Sequence, residues 1–422
     1  SLYNQTYRQA SNGEPSFNTI GWNSSYTGQP IPPWQMREWL SDRVQQILAL
    51  KPSRVLEIGC GTGLMLFQIA PYCTQYWGTD FSAVSLESIQ RQLAQELPQV
   101  KLLQKVATDF EGVEAAAFDA VILNSVIQYF PSLDYLLCVL ERAVQTVAPG
   151  GFIFIGDVRS LPLLSAFHAS VHLYQSEPAL ERTQLQQRVQ QSIFEEPELV
   201  IDPSLFCALR DSPAQALRDR FSRISHVQIQ LTRGHHHNEM TQFRYNVFLH
   251  IETDSPRDLN NQIWLDWTRD QLTLSTVRQH LDEGRPEILG ITGVPNARTI
   301  ASVKTAQWLA SAEGPKTVGQ MREALSLSEL VIDPQDWWGL EALPYRVDIC
   351  WSASPSCYDV AFVRHEVAGS VSMPLTQQVD LSRPLRTYAN QPLQAQFARQ
   401  LLPQLRSYLE QKLPVYMVPS TF

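Results

Sequence analysis

The run Val55-Leu56-Glu57-Ile58-Gly59-Cys60-Gly61-Thr62-Gly63 joins a short apolar segment to a helical one through a cluster of glycines. Glycines at such a junction let the backbone turn sharply and approach a ligand, and the helix that follows offers free N–H groups at its start. The loop alone is also compatible with an ordinary strand-to-helix turn. Its spacing narrows the reading. A dinucleotide fingerprint needs glycine or alanine at position 64, which is Leu64 here. The pattern is GxGxG, with Glu57 two residues before the first glycine. An acid at the end of an apolar strand is costly unless a polar partner meets it. Asp80 closes the next run, Trp77-Gly78-Thr79-Asp80-Phe81, about 20 residues on, where a carboxylate grips a ribose diol. Asp109 closes a third, Val106-Ala107-Thr108-Asp109-Phe110, where it would accept a hydrogen bond from an adenine amino group. Acids at successive C-terminal strand ends mark the ligand edge of an open α/β sheet.

A second cluster, Arg233-Gly234-His235-His236-His237-Asn238-Glu239, sets three histidines beside a carboxylate. Adjacent histidines point in alternate directions, which argues against a metal site. A solvated polar hairpin is the plain reading. The chemical one is a catalytic base. In an extended segment His237 and Glu239 share a face, so Glu239 would orient the imidazole and His237 would take a proton from an acceptor. Rivals lie at His168 and His172, on one helical face at i, i+4. Asp157 and Arg159 follow the fifth strand and also read as a local ion pair. Arg244 and Tyr245 read as strand residues flanking the core.

These residues need strands that end together. Apolar runs predict strands at Arg54–Ile58, Tyr76–Thr79, Lys101–Ala107, Phe118–Leu123 and Phe152–Asp157. Helices are predicted from Pro33 to Leu50 and over Leu64–Ala70, Val84–Leu97 and Asp134–Val147. Such alternation implies an α/β, Rossmann-like, mostly parallel sheet covered on both faces. Residues 160–220 break the alternation and look like a helical lid insertion. Ser225–Thr232 and Thr241–Ile251 then read as an antiparallel edge hairpin. Residues 1–34 form a polar arm and 35–255 the core with its lid. Residues 256–392 look like a mixed α/β subdomain, with helices at Leu265–His280, Ala301–Ala312 and Val318–Leu325 and strands at Pro286–Ile291, Tyr345–Cys350 and Asp359–Arg364. Residues 393–422 read as an amphipathic helix and an extended tail.

The chain has 422 residues, a net charge of −9 and 44% hydrophobic residues, so it can bury a full core. The charge argues against broad capture of nucleic acid or anionic membrane. No CxxC pair occurs among the six cysteines, so zinc spacing is absent and free thiols are expected. No apolar run reaches the ~20 residues that span a bilayer. Without a signal-peptide pattern or an initiator Met, the chain reads as cytoplasmic and as a domain excised from something longer.

The set EIGCGTG, GTDFS, ATDF and NSVIQYF resembles the class I S-adenosylmethionine methyltransferases over about residues 35–250. That resemblance implies S-adenosylmethionine as cofactor and S-adenosylhomocysteine as product. It puts Glu57, Gly59, Cys60, Gly61 and Gly63 around the methionine end. Asp80, with Phe81 and Ser82, would hold the ribose, Asp109 and Phe110 would flank the adenine, and Asn124 and Ser125 would follow strand four. Gly21 to Gly28, with Trp22 and Tyr26, resembles an arm that closes over the cofactor. FNTIGWNSSYTGQPIP, the stretch from Asn238 to Tyr245 and the stretch from Gly290 to Arg298 resemble methyltransferase domains of polyketide and nonribosomal peptide synthases. His168 resembles an active-site neighbour in that branch, and LPVYMVP at 413–419 is similar to a late adenylation motif. The partners implied are a phosphopantetheinyl acyl carrier protein and neighbouring synthase domains.

A neutral amine needs little base catalysis, whereas an alcohol benefits strongly from proton removal. A His237–Glu239 base therefore favours O-methylation, at a β-hydroxyl of a carrier-bound acyl chain in polyketide biosynthesis. The absence of core adenylation motifs points the same way. The alternative is N-methylation of an aminoacyl intermediate in a nonribosomal peptide synthetase. A non-catalytic scaffold that binds cofactor or carrier is a third reading, opposed by the intact loop and acids.

Overall fold

The computed structural model describes residues 16–93, 97–253, 264–311, 313–326, 331–340, 343–367, 373, 380–413 and 417. Residues 1–15 of the expected arm lie outside the described residues, as does the expected extended tail beyond position 413 apart from Met417.

Seven strands form the main sheet: β1 Arg54–Ile58, β2 Gln75–Asp80, β3 Val100–Gln104, β4 Phe118–Asn124, β5 Val147–Arg159, β6 Ile224–Leu231 and β7 Arg244–Ile251. Their order is β3-β2-β1-β4-β5-β7-β6. The first five are parallel, and β7 runs antiparallel to both β5 and β6. This is the expected Rossmann-like, mostly parallel sheet with its antiparallel edge hairpin. Side-chain alternation explains it. Val55, Ala120, Ile122 and Phe154 face the core beneath the helix Pro33–Ala49, with Met36, Trp39 and Ile47. Leu56, Val121, Leu123 and Ile155 face the helix Leu133–Thr146, with Leu136, Leu140 and Val144. A strand buried on both faces needs such a continuous apolar run.

The lid is helical, as expected: Leu164–Gln175, Arg182–Phe194, Ser204–Asp211 and Gln215–Arg220. A four-stranded sheet follows, with β8 Trp264–Asp266, β9 Ile288–Pro295, β10 Tyr345–Trp351 and β11 Cys357–Arg364 in the order β10-β11-β9-β8. The expected helix from Leu265 begins only at Leu274, where the Thr273 side chain caps it. The preceding residues pair with β9, and the Trp264 ring lies where any side chain at Gly290 would stand. Tertiary pairing overrides local helix preference there.

One face of the second sheet joins the main core, while the other carries only a small cluster around Ile288 and Val363. Val347, Val360 and Phe362 belong to the same apolar cluster as Leu56 and Ile155. The lid is buttressed likewise: Ala169, Leu173, Leu185 and Val189 pack on Leu309, Val318 and Met321. Arg322 donates to the carbonyls of Leu173, Tyr174 and Ser176 at 2.6, 3.0 and 2.7 Å, where the lid helix leaves its last acceptors open.

The GITGVPNAR stretch finds its use here. Arg298, with a side chain 1% exposed, donates to the carbonyls of Thr232 and Gly234, both at 2.7 Å, and to Asp333 at 2.9 Å. It pins the β6–β7 connection to the second sheet. Truncating it leaves two buried carbonyls without their donor and takes from half-buried Asp333 one of its two cationic partners. Arg298→Ala is expected to lower stability by about 3 kcal/mol, read as a lower urea midpoint.

Candidate functional site

The strand order reverses at β1 and β4, and the crevice outside the carboxyl ends of the strands at such a point is where open α/β sheets bind ligands. A cavity of about 1250 Å³ opens there. It exceeds what one small ligand of ordinary size fills, which leaves room for two reactants. Glu57, Gly59, Cys60 and Gly61 line it from the end of β1, Asp80 and Phe81 from β2, and Asn124 and Ser125 from β4.

Gly59 has φ +76°, and a Cβ there would stand 2.5 Å from Val126 Cγ2. Only glycine brings the backbone this close. Asp80 is buried, and each of its oxygens accepts one loop N–H, from Gly61 at 3.0 Å and Ser82 at 2.8 Å. Lone pairs remain on both oxygens for a diol. Burial pushes its carboxyl up, offset in part by those two N–H groups. Glu57 is fully enclosed and accepts from the Tyr76 hydroxyl at 2.7 Å. Burial, with the nearby Asp80 charge, pushes it to about 7 despite that bond. Asn124 and Gln128, on the cavity wall, each keep a buried side-chain oxygen with no protein partner. Two carboxylates, a close backbone and spare acceptors suit a cationic nucleoside, so the residues present fit S-adenosylmethionine.

Several residues expected at this end stand elsewhere. Asp109 does not line the cavity. It pairs with Lys105 Nζ at 2.9 Å and accepts the Glu111 N–H, because the chain after β3 turns back on itself. Phe110 packs instead at the edge of the main core. After β3 the cavity is lined instead by Lys105, Val106 and Ala107. Gly63 and Ser82 support rather than line: one opens the helix Leu64–Ile69 in a left-handed turn, the other holds Asp80. Trp22 lines the cavity and packs on Trp39 at 4.8 Å. Tyr26 instead clasps the lid, bonded to the Ser170 hydroxyl at 2.8 Å.

The other end contradicts the expected base. Asn238 is itself extended, but the extended stretch ends there. It caps the short helix Glu239–Gln242 with a reciprocal Asn238–Thr241 box, and its amide donates to Gln35. A helical turn sends neighbours apart. His237 is half exposed, bonded to Asp333 at 2.5 Å, and lines no part of the cavity. Against the upward push of burial, His237 and Arg298 hold Asp333 well below the usual carboxylate range. Glu239 does line the cavity. It accepts from the Ser25 N–H at 2.8 Å and hydroxyl at 3.1 Å, and Arg244 stands 3.8 Å away.

His168 lines the same end, its Nε2 3.0 Å from Glu196. Arg159 forks onto Glu196 at 2.7 and 2.8 Å and reaches Glu198 at 2.8 Å. Burial raises the Glu196 carboxyl, but His168 and Arg159 outweigh it and leave it at about 2. An ionised carboxylate only accepts, so it fixes Nε2 as the protonated nitrogen and leaves Nδ1 basic in the neutral ring. Arg159 was legible at the ligand edge, but its partners are Glu196 and Glu198 rather than Asp157; Arg244 was legible only as a strand residue, and nothing in the sequence singled out Glu196.

Residues 56–153 match the family model of a methyltransferase domain. The match agrees with the cavity at the strand ends, whose residues fit S-adenosylmethionine as a methyl donor. The chain is 41% identical to chondramide synthase cmdD of Chondromyces crocatus over 96% of its own length and 10% of that protein's. It is 33% identical, over its whole length and 5% of the relative's, to the probable non-canonical nonribosomal peptide synthetase CymA of Salinispora arenicola. The chain thus spans about a tenth or less of these curated relatives. Among solved structures, the N-methyltransferase NodS of Bradyrhizobium japonicum, in complex with S-adenosyl-L-homocysteine, aligns at 13% identity, covering 60% of this chain and 100% of that one with a TM-score of 0.36. No helix among the described residues is long and apolar enough to cross a membrane.

Two outcomes are expected. Asp80→Ala weakens S-adenosylhomocysteine by about 2 kcal/mol, roughly thirtyfold in Kd by calorimetry. Donor affinity rises as pH climbs through about 7, because a cationic ligand prefers ionised Glu57. Glu57→Gln should flatten that pH dependence between about 6 and 7.5, below the ordinary α-amino pKa of the donor.

Proposed function

We propose that this chain methylates the amine nitrogen of an aminoacyl group carried on a phosphopantetheinyl arm of a nonribosomal peptide synthetase. The observation that carries the reading is the acceptor wall. Glu239 lines the cavity without His237, which pairs with Asp333 instead, and a carboxylate there suits a cationic ammonium better than a neutral hydroxyl. A relative named as a nonribosomal peptide synthetase supports the same reading over the polyketide one.

The donor, when bound, supplies an electrophilic methyl group on a sulfonium. An α-amine has an ordinary pKa of about 7.7–8.0, so it arrives largely as an ammonium. Glu239 attracts that cation, and Ser25 and Arg244 hold the carboxylate in place. The amine must shed a proton before its lone pair can attack. His168 Nδ1 accepts it, with Glu196 fixing the ring from Nε2. The phenyl rings of Phe167 and Phe243, 5.3 Å apart and both on the wall, keep water from the reacting atoms. The freed nitrogen pair would then take up the donor's methyl group, the S–CH3 bond electrons returning to sulfur as a neutral thioether. The carrier protein and neighbouring synthetase domains are the partners this reading requires.

Mass spectrometry of matched aminoacyl and hydroxyacyl carriers, incubated with S-adenosylmethionine, is the test. One methyl is expected on the aminoacyl nitrogen. A methyl on the hydroxyl and none on the amine would overturn the reading. His168→Ala is expected to slow transfer by about a hundredfold while leaving donor affinity unchanged. His237→Ala is expected to leave the rate near that of the unaltered protein.

A further inference from the structure

Asp157 lies behind the cavity wall, fully buried and not itself in contact with the cavity. Its carboxylate nevertheless gathers four side chains from three places in the fold: the helix Pro33–Ala49, the end of β4 and β7. Oδ1 accepts from Arg43 Nη2 at 3.3 Å and from the Trp39 indole N–H at 3.4 Å. Oδ2 accepts from the Ser125 hydroxyl at 3.0 Å and from Arg244 Nη1. Three of these four partners, Trp39, Ser125 and Arg244, line the cavity.

The backbone is shaped for this. The β5–β7 register shifts between Ile155 and Val158, and Asp157 stands in that bulge with φ +65°. A non-glycine residue held in the left-handed region costs energy, and bulges next to sites re-aim a side chain. The Asp157 N–H is satisfied across the sheet by Asn246 Oδ1 at 3.1 Å. Burial pushes the carboxyl up, but Arg244 and Arg43 hold it below the usual range, so it stays charged.

We propose that Asp157 is the positioning residue of the acceptor end. From behind the wall it aims the Arg244 guanidinium, whose other nitrogen stands 3.8 Å from Glu239. Through Arg244 it sets the carboxylate that meets the substrate. Through Ser125 and Trp39 it ties that setting to the donor end and to the arm residue Trp22. A plain structural ion pair needs none of the cavity-lining partners.

The inference rests on the amine-transfer reading only for the choice of substrate. The test is a double-mutant cycle of Asp157→Asn with Glu239→Gln, assayed on whichever carrier substrate the unaltered protein methylates. Asp157→Asn is expected to cut kcat at least tenfold, with S-adenosylhomocysteine affinity within about twofold. Combined with Glu239→Gln it should cost little more than either alone, a departure from additivity of about tenfold. Arg244→Lys, which keeps the charge and loses the fork, should behave alike and carries the test if Asp157→Asn fails to fold. Additive losses, or a lowered melting temperature with unchanged kcat, would overturn the proposal. Transfer to a hydroxyl would sink the amine reading and leave this cycle decisive.

Discussion

Reversal of strand order between β1 and β4 leaves a crevice that no helix can fill, and the rest of the molecule is arranged around it. Acids stand at the ends of β1 and β2, where burial is costly. The costs are met locally: Tyr76 serves Glu57, and the loop N–H groups of Gly61 and Ser82 serve Asp80. Because these partners belong to the protein, the carboxylates are held in place before any ligand arrives. Preorganisation of this kind lets binding energy go into recognition rather than ordering.

The acceptor end is built by a different device. Its polar groups come from the lid, β5, the β6–β7 connection and the arm, which are distant in sequence and joined by ion pairs and hydrogen bonds. Arg159 with Glu196 ties the lid to β5, and Glu239 with Ser25 ties the β6–β7 connection to the arm. The second sheet matters for the same reason. Arg322 closes the end of the lid helix, and Arg298 fixes the connection from which Glu239 projects. The acceptor wall is therefore rigid where a free flap would leave it loose.

Most of the donor end was legible in the sequence, because it depends on local spacing. A strand, a glycine turn and an acid define Glu57 and Gly59 within a few residues, and Asp80 repeats the pattern. Asp109 looked equivalent, but the acid followed the end of β3 by several residues, and Lys105 within the same turn captured it. The acceptor end was less legible because it depends on long-range pairs. Nothing near His237 announces Asp333, and nothing near His168 announces Glu196. The Asn238–Thr241 capping pair was present in the stretch and makes Glu239–Gln242 a helical turn, so the strand expected from Thr241 begins only at Arg244. The start of the second sheet was missed for the same reason: Trp264 is placed by its partner Gly290, not by its neighbours.

The most direct test of the donor cleft is a crystal structure of the protein with S-adenosylhomocysteine. The account predicts ribose hydroxyls within about 3 Å of both Asp80 oxygens and the methionyl end beside Gly59 and Glu57. A ribose bound at Asp109, or a nucleoside outside the β1–β4 crevice, would contradict it.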